Sequence, residues 1–290
     1  MLSTFKKSAA IVLVATLAGC ASTAPKNSKD YDHTKSRALN IANAAGIDKL
    51  RDTKITEAQY QQIESSNFVM DAGWAWANYI NPAPGFSSGT GLGIALASMI
   101  FTPSPTSEND SLIAWMPTDL AKDETQATEL FRSELKSAIE TALIDLGVVQ
   151  PDIQLRESKD KSLHIWASFE HAQSQCGPYP PGTKGTDKCY VYAGIRLPTK
   201  VNAPAIVDPN QSPVYAFTLA SGKQKLEVHA ASESNLNELA LYSSISENLP
   251  SWVFLYLAPK KTSIRNDEEL AYPVVLSQGK ANLFVIPAEK

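Results

Sequence analysis

Four histidines and three cysteines are the side chains best suited to chemistry in this 290-residue chain. His33 lies in a polar N-terminal stretch. His164 sits in an alternating, strand-like run, His171 just beyond it, and His229 at a strand end. A hydrolase of the serine type needs a nucleophile, a base and a group that orients the base. No Gly-x-Ser-x-Gly elbow is present, because Ser221-Gly222 lacks the preceding glycine. No His-Glu-x-x-His, Walker loop or Cys-x-x-Cys occurs either. The spacing His171-x4-Cys176-x12-Cys189, with His164 upstream, fits no strong zinc signature. The string Gly89-x-Gly91-x-Gly93 follows no predicted strand, so it is not read as a dinucleotide loop. Asp267-Glu268-Glu269 reads as a solvated acidic turn. The expectation is therefore no catalytic residue, no metal and no cofactor.

One constellation points to recognition instead. Leu163, Ile165, Ala167 and Phe169 alternate with His164, Trp166, Ser168 and Glu170, which is a strand with one buried face. Tyr190-Val-Tyr-Ala-Gly-Ile-Arg-Leu197 is a second strand. Their outward faces carry His164, Trp166, Tyr190, Tyr192 and Arg196. Aromatic side chains with an arginine are typical of interaction hot spots. Either the charge-poor segment upstream covers this face or a partner does.

The N-terminus says where such a face would work. Lys6 and Lys7 precede eleven uncharged residues, Ala9 to Gly19, and then Cys20. A basic n-region and a short apolar core make a secretory signal, too short to span a bilayer as a mature helix. Leu17-Ala18-Gly19-Cys20 resembles the lipobox of bacterial lipoproteins, the signal peptidase II class. The resemblance covers the first twenty residues. It implies cleavage before Cys20, a diacylglyceryl group on its thiol and an acyl group, commonly palmitate, on its new amine. One acyl chain anchors only marginally, and three anchor firmly. Residue 21 is alanine, not aspartate, which in enterobacterial-type lipoproteins implies the outer membrane. The body then faces the periplasm, with exposure at the cell surface as the alternative.

Without Lys6 and Lys7 the formal charge falls from −4 to −6, so an acidic body does not itself adhere to anionic lipid. The same balance, with a pI near 5.6, gives no case for nucleic acid. With Cys20 lipidated, Cys176 and Cys189 remain in an oxidising compartment, where a disulfide is the natural pairing. The twelve residues between them include three prolines and three glycines and read as a loop.

The elements that position these groups follow from composition and periodicity. Hydrophobic residues make up 43% of the chain and charged ones 19%, so a packed core is expected and disorder throughout is excluded. Residues 1–19 form the signal peptide and 20–34 the lipidated cysteine with a flexible tether. Residues 35–107 form a helical, charge-poor region and 108–290 an α+β unit. One helix runs through Ala38, Leu39, Ile41, Ala42 and Ala45 to Gly46, and another through 56–63, with Thr53 or Thr56 as cap.

Residues 72–107 contain no charged side chain. Within them Gly85, Gly89, Gly93 and Ala97 recur every fourth residue, which places them on one stripe of a helix over 86–101. Small residues there allow close approach of another backbone. The pattern is similar to the glycine zippers of some envelope lipoproteins. It serves either packing on the protein's own sheet or contact with membrane or a second copy.

In the α+β unit, Ser111–Met116 is an apolar strand and 123–146 the strongest helix, with a capping-box start at Asp123 and Gln126 and a stop at Gly147. Val214–Leu219 is a strand and Ser234–Asn248 a helix. Trp252–Leu257 is a fully buried strand, and 272–286 a hairpin turning at Gln278-Gly279. This order predicts an open, mostly antiparallel sheet with helices packed on one face. Its topology is loosely similar to lipopolysaccharide-assembly lipoproteins and auxiliary lipoproteins of envelope transporters, as a fold analogy only. The leading reading is a non-catalytic lipoprotein that binds or helps assemble an envelope protein or ligand. The alternatives are an envelope hydrolase acting on glycan or lipid, and a glycine-stripe oligomer at the membrane.

Overall fold

The computed structural model describes residues 31–58, 60–61, 104–222, 224–258 and 273–288. Elements are numbered among these. The α+β class and the antiparallel pairing expected from the sequence are both present. The strands divide between two main sheets, not one. The larger has six strands, β2 (Ser111–Pro117), β6 (Thr199–Asn202), β7 (Pro213–Phe217), β9 (Val253–Leu257), β10 (Val274–Ser277) and β11 (Lys280–Leu283). Their spatial order is β11-β10-β9-β2-β7-β6. The smaller has β3 (Asp152–Glu157), β4 (Leu163–Ser168), β5 (Tyr190–Ile195) and β8 (Lys225–His229), in the order β3-β4-β5-β8. A parallel pair joins β1 (Thr53–Ile55) to β12 (Val285–Pro287). Thr53, a candidate cap by sequence, thus lies in a strand.

The two sheets are the two ends of one bent hairpin. β5 continues into β6 across Arg196–Pro198, and β7 into β8 across Thr218–Gln224. β5 pairs β8 in one sheet, and β6 pairs β7 in the other. The corner is held by Gln224, which is 1% exposed. Its Oε1 accepts from Arg196 N at 2.7 Å, and its Nε2 donates to Gly222 O at 3.0 Å. Its own carbonyl accepts from Leu112 N at 3.3 Å, tying the corner to the central strand β2. A buried amide so engaged satisfies backbone groups that the bend would otherwise orphan.

Helix α2 (Glu124–Asp145) forms as its caps dictate. Asp123 accepts from Gln126 N at 2.8 Å, while the Gln126 side chain accepts from Lys122 N, one residue further back than in a standard box. At its far end Gly147 takes φ +99°, and Val148 N closes onto Leu143 O. α2 and α3 (Glu238–Glu247, capped by Asn237) pack with the inner faces of both sheets in one hydrophobic core. α1 (Arg37–Ala45), capped by Ser36 and ended by Gly46 at φ +86°, packs on the opposite face of the six-stranded sheet. There Ala38, Ile41 and Ala42 meet Trp115, Phe254 and Val275. The last residues of the charge-free run are part of the same body. Ser104 Oγ donates to Asp48 at 2.6 Å, and Ser107 O accepts from the buried Tyr256 hydroxyl at 2.8 Å.

Candidate functional site

The outer face of the four-stranded sheet assembles in three rows, because residues opposite one another in antiparallel pairing share a face. The first row is Asp152, Ser168, Tyr190 and His229. The second is Gln154, Trp166, Tyr192 and Glu227. The third is Arg156, His164, Gly194 and Lys225. The inner face of the same strands is the core, with Ile165, Val191, Ala193, Leu226 and Val228 all buried. Among the described residues no α-helix packs on the outer face, where only the short 3-10 turn Gly185–Asp187 lies against Trp166, whereas the six-stranded sheet has α-helices on both sides.

The rings on this face contact one another. Trp166 stacks on Tyr190 with centroids 4.2 Å apart, and Tyr190 on His229 at 4.6 Å. Tyr192 stands edge-on to Trp166 at 5.9 Å and stacks with His164 at the same distance. Lys225 Nζ lies 5.6 Å above the Tyr192 ring and also pairs with Glu227. Burial, followed by the charge of Glu227, raises the Tyr190 hydroxyl above its ordinary range; Glu227 also accepts its hydrogen bond. Gly194 makes this packing possible. A Cβ there would stand 3.0 Å from the Tyr192 hydroxyl.

His164 links two hydroxyls. Its Nε2 is 2.7 Å from Ser158 Oγ and its Nδ1 2.8 Å from the Tyr192 hydroxyl. The connectivity is that of a nucleophile, a base and an orienting group. The third place is filled by a hydroxyl, where hydrolytic triads use a carboxylate to hold the charged imidazole. The arrangement therefore fixes the ring of His164 and gives it no charged support for proton transfer.

Four of the five residues expected on this face converge there. Arg196 has the outward parity but lies past the end of β5. Its guanidinium is 3.9 Å from Asp160, and its stem packs against Gly222. It belongs to the corner between the sheets. Glu227, Lys225 and His229 of β8, and Gln154 and Arg156 of β3, complete the face. The strict alternation of Lys225-Leu-Glu-Val-His229 is the signal for β8, and nothing in sequence places it beside β5. Cys20 and the stripe Gly85, Gly89, Gly93 and Ala97 lie outside the described residues.

Cys176 and Cys189 are joined, with α-carbons 5.7 Å apart, and both are fully buried. Cys189 immediately precedes β5. Cys176 sits in a turn after β4, folded back by paired backbone bonds with His171. The zinc reading of these residues is excluded by the bond itself. Among the described residues no group of three His, Cys, Asp or Glu could hold a metal. The enclosed loop rests on the aromatic face, and a Cβ on Gly185 would lie 3.2 Å from the Trp166 ring. On its other side the loop borders an open hollow of about 640 Å³ lined by Asp152, Glu170, His171, Tyr179 and Lys188. His171 Nδ1 is held there by Ser174 Oγ at 2.8 Å.

The disulfide therefore holds the loop that abuts Trp166. Replacing both cysteines by serine is expected to lower stability by about 3 kcal/mol, the closure entropy of a loop this size. It should also increase quenching of Trp166 by acrylamide below the unfolding transition, relative to a Trp166→Phe background. Unchanged quenching would show that the loop keeps its seat without the bond.

No described helix is long and apolar enough to cross a membrane. No protein-family model, curated protein or solved structure matches the chain.

Proposed function

We propose that the chain is a lipid-anchored outer-membrane protein whose periplasmic body binds, or helps assemble, an envelope partner without catalysing a reaction. The outer face of the four-stranded sheet is its recognition surface. The observation that carries this reading is that Trp166, Tyr192, His164 and His229, half-buried around the buried Tyr190, form a contiguous cluster of rings over which no described α-helix lies. Rigid aromatic groups flanked by Glu227, Lys225, Gln154 and Arg156 supply area, charge and hydrogen-bonding groups at low conformational cost. Leu17-Ala18-Gly19-Cys20 and the joined Cys176 and Cys189 support an exported, lipidated chain.

Two measurements test it. Cys20→Ser should abolish incorporation of a clickable fatty acid and release the body from the membrane fraction, or leave it uncleaved. Equal labelling of wild type and variant would end the lipoprotein reading. For the face, a photo-crosslinking residue at Lys225 should give a discrete adduct in intact cells. Trp166→Ala should weaken that adduct, and the same probe at Asn248 on the α3 side should not give it. An adduct at Asn248 alone would move the recognition surface elsewhere.

A further inference from the structure

β3 is the outermost strand of the smaller sheet, and among the described residues it pairs only with β4. All its residues are exposed except Ile153, which is half-buried. An open edge of this length is a template for another strand, and proteins commonly blunt such edges with charged side chains. The charges of β3 are of opposite sign, with an exposed leucine between them, so a second copy of the strand can complement them.

The direction of its unpaired backbone groups follows from register. Ser158 N donates to Ser162 O at 2.9 Å, in line with the β3–β4 pairing. Backbone groups alternate sides along a strand, so those of Asp152, Gln154 and Arg156 face β4. Those of Ile153, Leu155 and Glu157 face outward. A second strand on this edge must therefore bond to Ile153 and Leu155.

A second copy of β3 does so in one antiparallel register. With Gln154 opposite Gln154, Ile153 faces the other copy's Leu155 and can exchange two backbone hydrogen bonds with it, twice over by symmetry. On the outer face Asp152 meets Arg156, again twice. On the inner face the half-buried Ile153 meets Leu155, which is 44% exposed in the single chain. Moving the register by one step in either direction loses this match. Leucine on leucine sets Ile153 against Glu157, and isoleucine on isoleucine sets Asp152 against Gln154. The opposite charges of the favoured register lie in its non-hydrogen-bonded pairs, where side chains are closest.

We propose that β3 is an interaction edge at which two copies of this chain pair antiparallel, with Gln154 on the two-fold axis. The product is an isologous dimer with one continuous sheet, built from the four strands of each copy. Within one chain Arg156 already bonds Gln154 Oε1 at 2.7 Å, and Gln154 Nε2 bonds Asp152 at 3.1 Å. These three side chains are thus extended in line along the edge. A single pair of short strands is a small interface, so the dimer forms weakly and responds to salt.

The test uses the full chain in mild detergent. Gln154→Cys should form a disulfide-linked dimer on mild oxidation, identified by mass as the peptide containing residue 154 linked to itself. Arg156→Cys should not self-link, because Asp152 of the second copy lies opposite it. By sedimentation equilibrium, Asp152→Arg and Arg156→Asp should each weaken association by about tenfold or more. The double exchange Asp152→Arg/Arg156→Asp should restore it to within about threefold, since the pairs are rebuilt with signs reversed. Wild-type protein that stays monomeric to about 1 mM would overturn the proposal. So would absence of the 154–154 link, or a double exchange no better than the single ones.

Discussion

Phe131→Ala is expected to lower the free energy of unfolding by about 3–5 kcal/mol, the range for emptying a fully enclosed phenylalanine site. Phe131 lies mid-way along α2 and is wholly buried. Its ring meets Phe217 of β7 at 4.7 Å between centroids and Trp252, just before β9, at 5.5 Å. It therefore joins the longest of the described helices to β7 and to the start of β9 in the larger sheet. Those contacts come from separate elements that are each held by their own pairing, so the site cannot collapse around the gap. A loss of this size is about a fifth or more of the stability of an ordinary domain. Urea unfolding followed by tryptophan fluorescence measures it. Phe131→Leu, which keeps most of the volume, should cost less than about 2 kcal/mol. A loss below about 1.5 kcal/mol for the alanine variant would mean that α2 is not the keystone of this core.

α2 was also the element most open to reading from sequence, and the reason is local. Its cap, its three- and four-residue apolar spacing and its stop at Gly147 all lie within the segment. The hairpin at Gln278-Gly279 was legible for the same reason. Both residues take positive φ, +49° and +74°, as a two-residue turn between twisted strands requires. β9 was legible because a short, uninterrupted apolar run bounded by prolines suits a strand buried on both faces.

What sequence did not show depends on distant partners. β3 alternates over Asp152-Ile-Gln-Leu-Arg156, but it carries only two apolar residues and neither is fully buried, too short a pattern to mark a strand by itself. β1 exists because Thr53–Ile55 pairs with residues from the far end of the chain. The division into two sheets turns on Gln224, a polar residue whose burial and bonding appear only once β2, β5 and β8 meet. The recognition face shows the same split. Outward parity on β4 and β5 could be read residue by residue, but the neighbours β3 and β8 could not. Arg196 marks the limit of parity as a guide. It points outward in the strand count, yet its guanidinium faces Asp160.

The second large effect is expected in alkali. Tyr242 is 2% exposed and Tyr256 is fully buried. The Tyr242 hydroxyl accepts from Val228 N at 2.9 Å and donates to Asp110 Oδ2 at 2.9 Å. The Tyr256 hydroxyl donates to Ser107 O at 2.8 Å. Burial first, and the nearby charge of Asp110 second, push both phenols above the ordinary tyrosine value of 10.0. Below pH 10 both folded and unfolded chains keep these protons, and the stabilisation is present in full. Above pH 10 the unfolded chain releases them and the folded chain does not, so stability falls as pH rises. Each tyrosine contributes about 1.4 kcal/mol per pH unit to that fall, and the two together about 2.7 kcal/mol per unit. Between pH 10, where the unfolded phenols are half ionised, and pH 11.5 the loss from this pair is thus roughly 3 kcal/mol, a large share of the stability of an ordinary domain. Urea midpoints from pH 8 to 11.5 should trace it. Tyr242→Phe should lower stability at pH 8 by about 1–3 kcal/mol, because Val228 N loses its acceptor inside the core. The same variant should reduce the alkaline slope by about 1.4 kcal/mol per unit, since one of the two retained protons is gone. A variant slope equal to that of wild type would show that Tyr242 ionises as readily in the folded chain as in the unfolded one, and that the bond to Asp110 does not hold its proton.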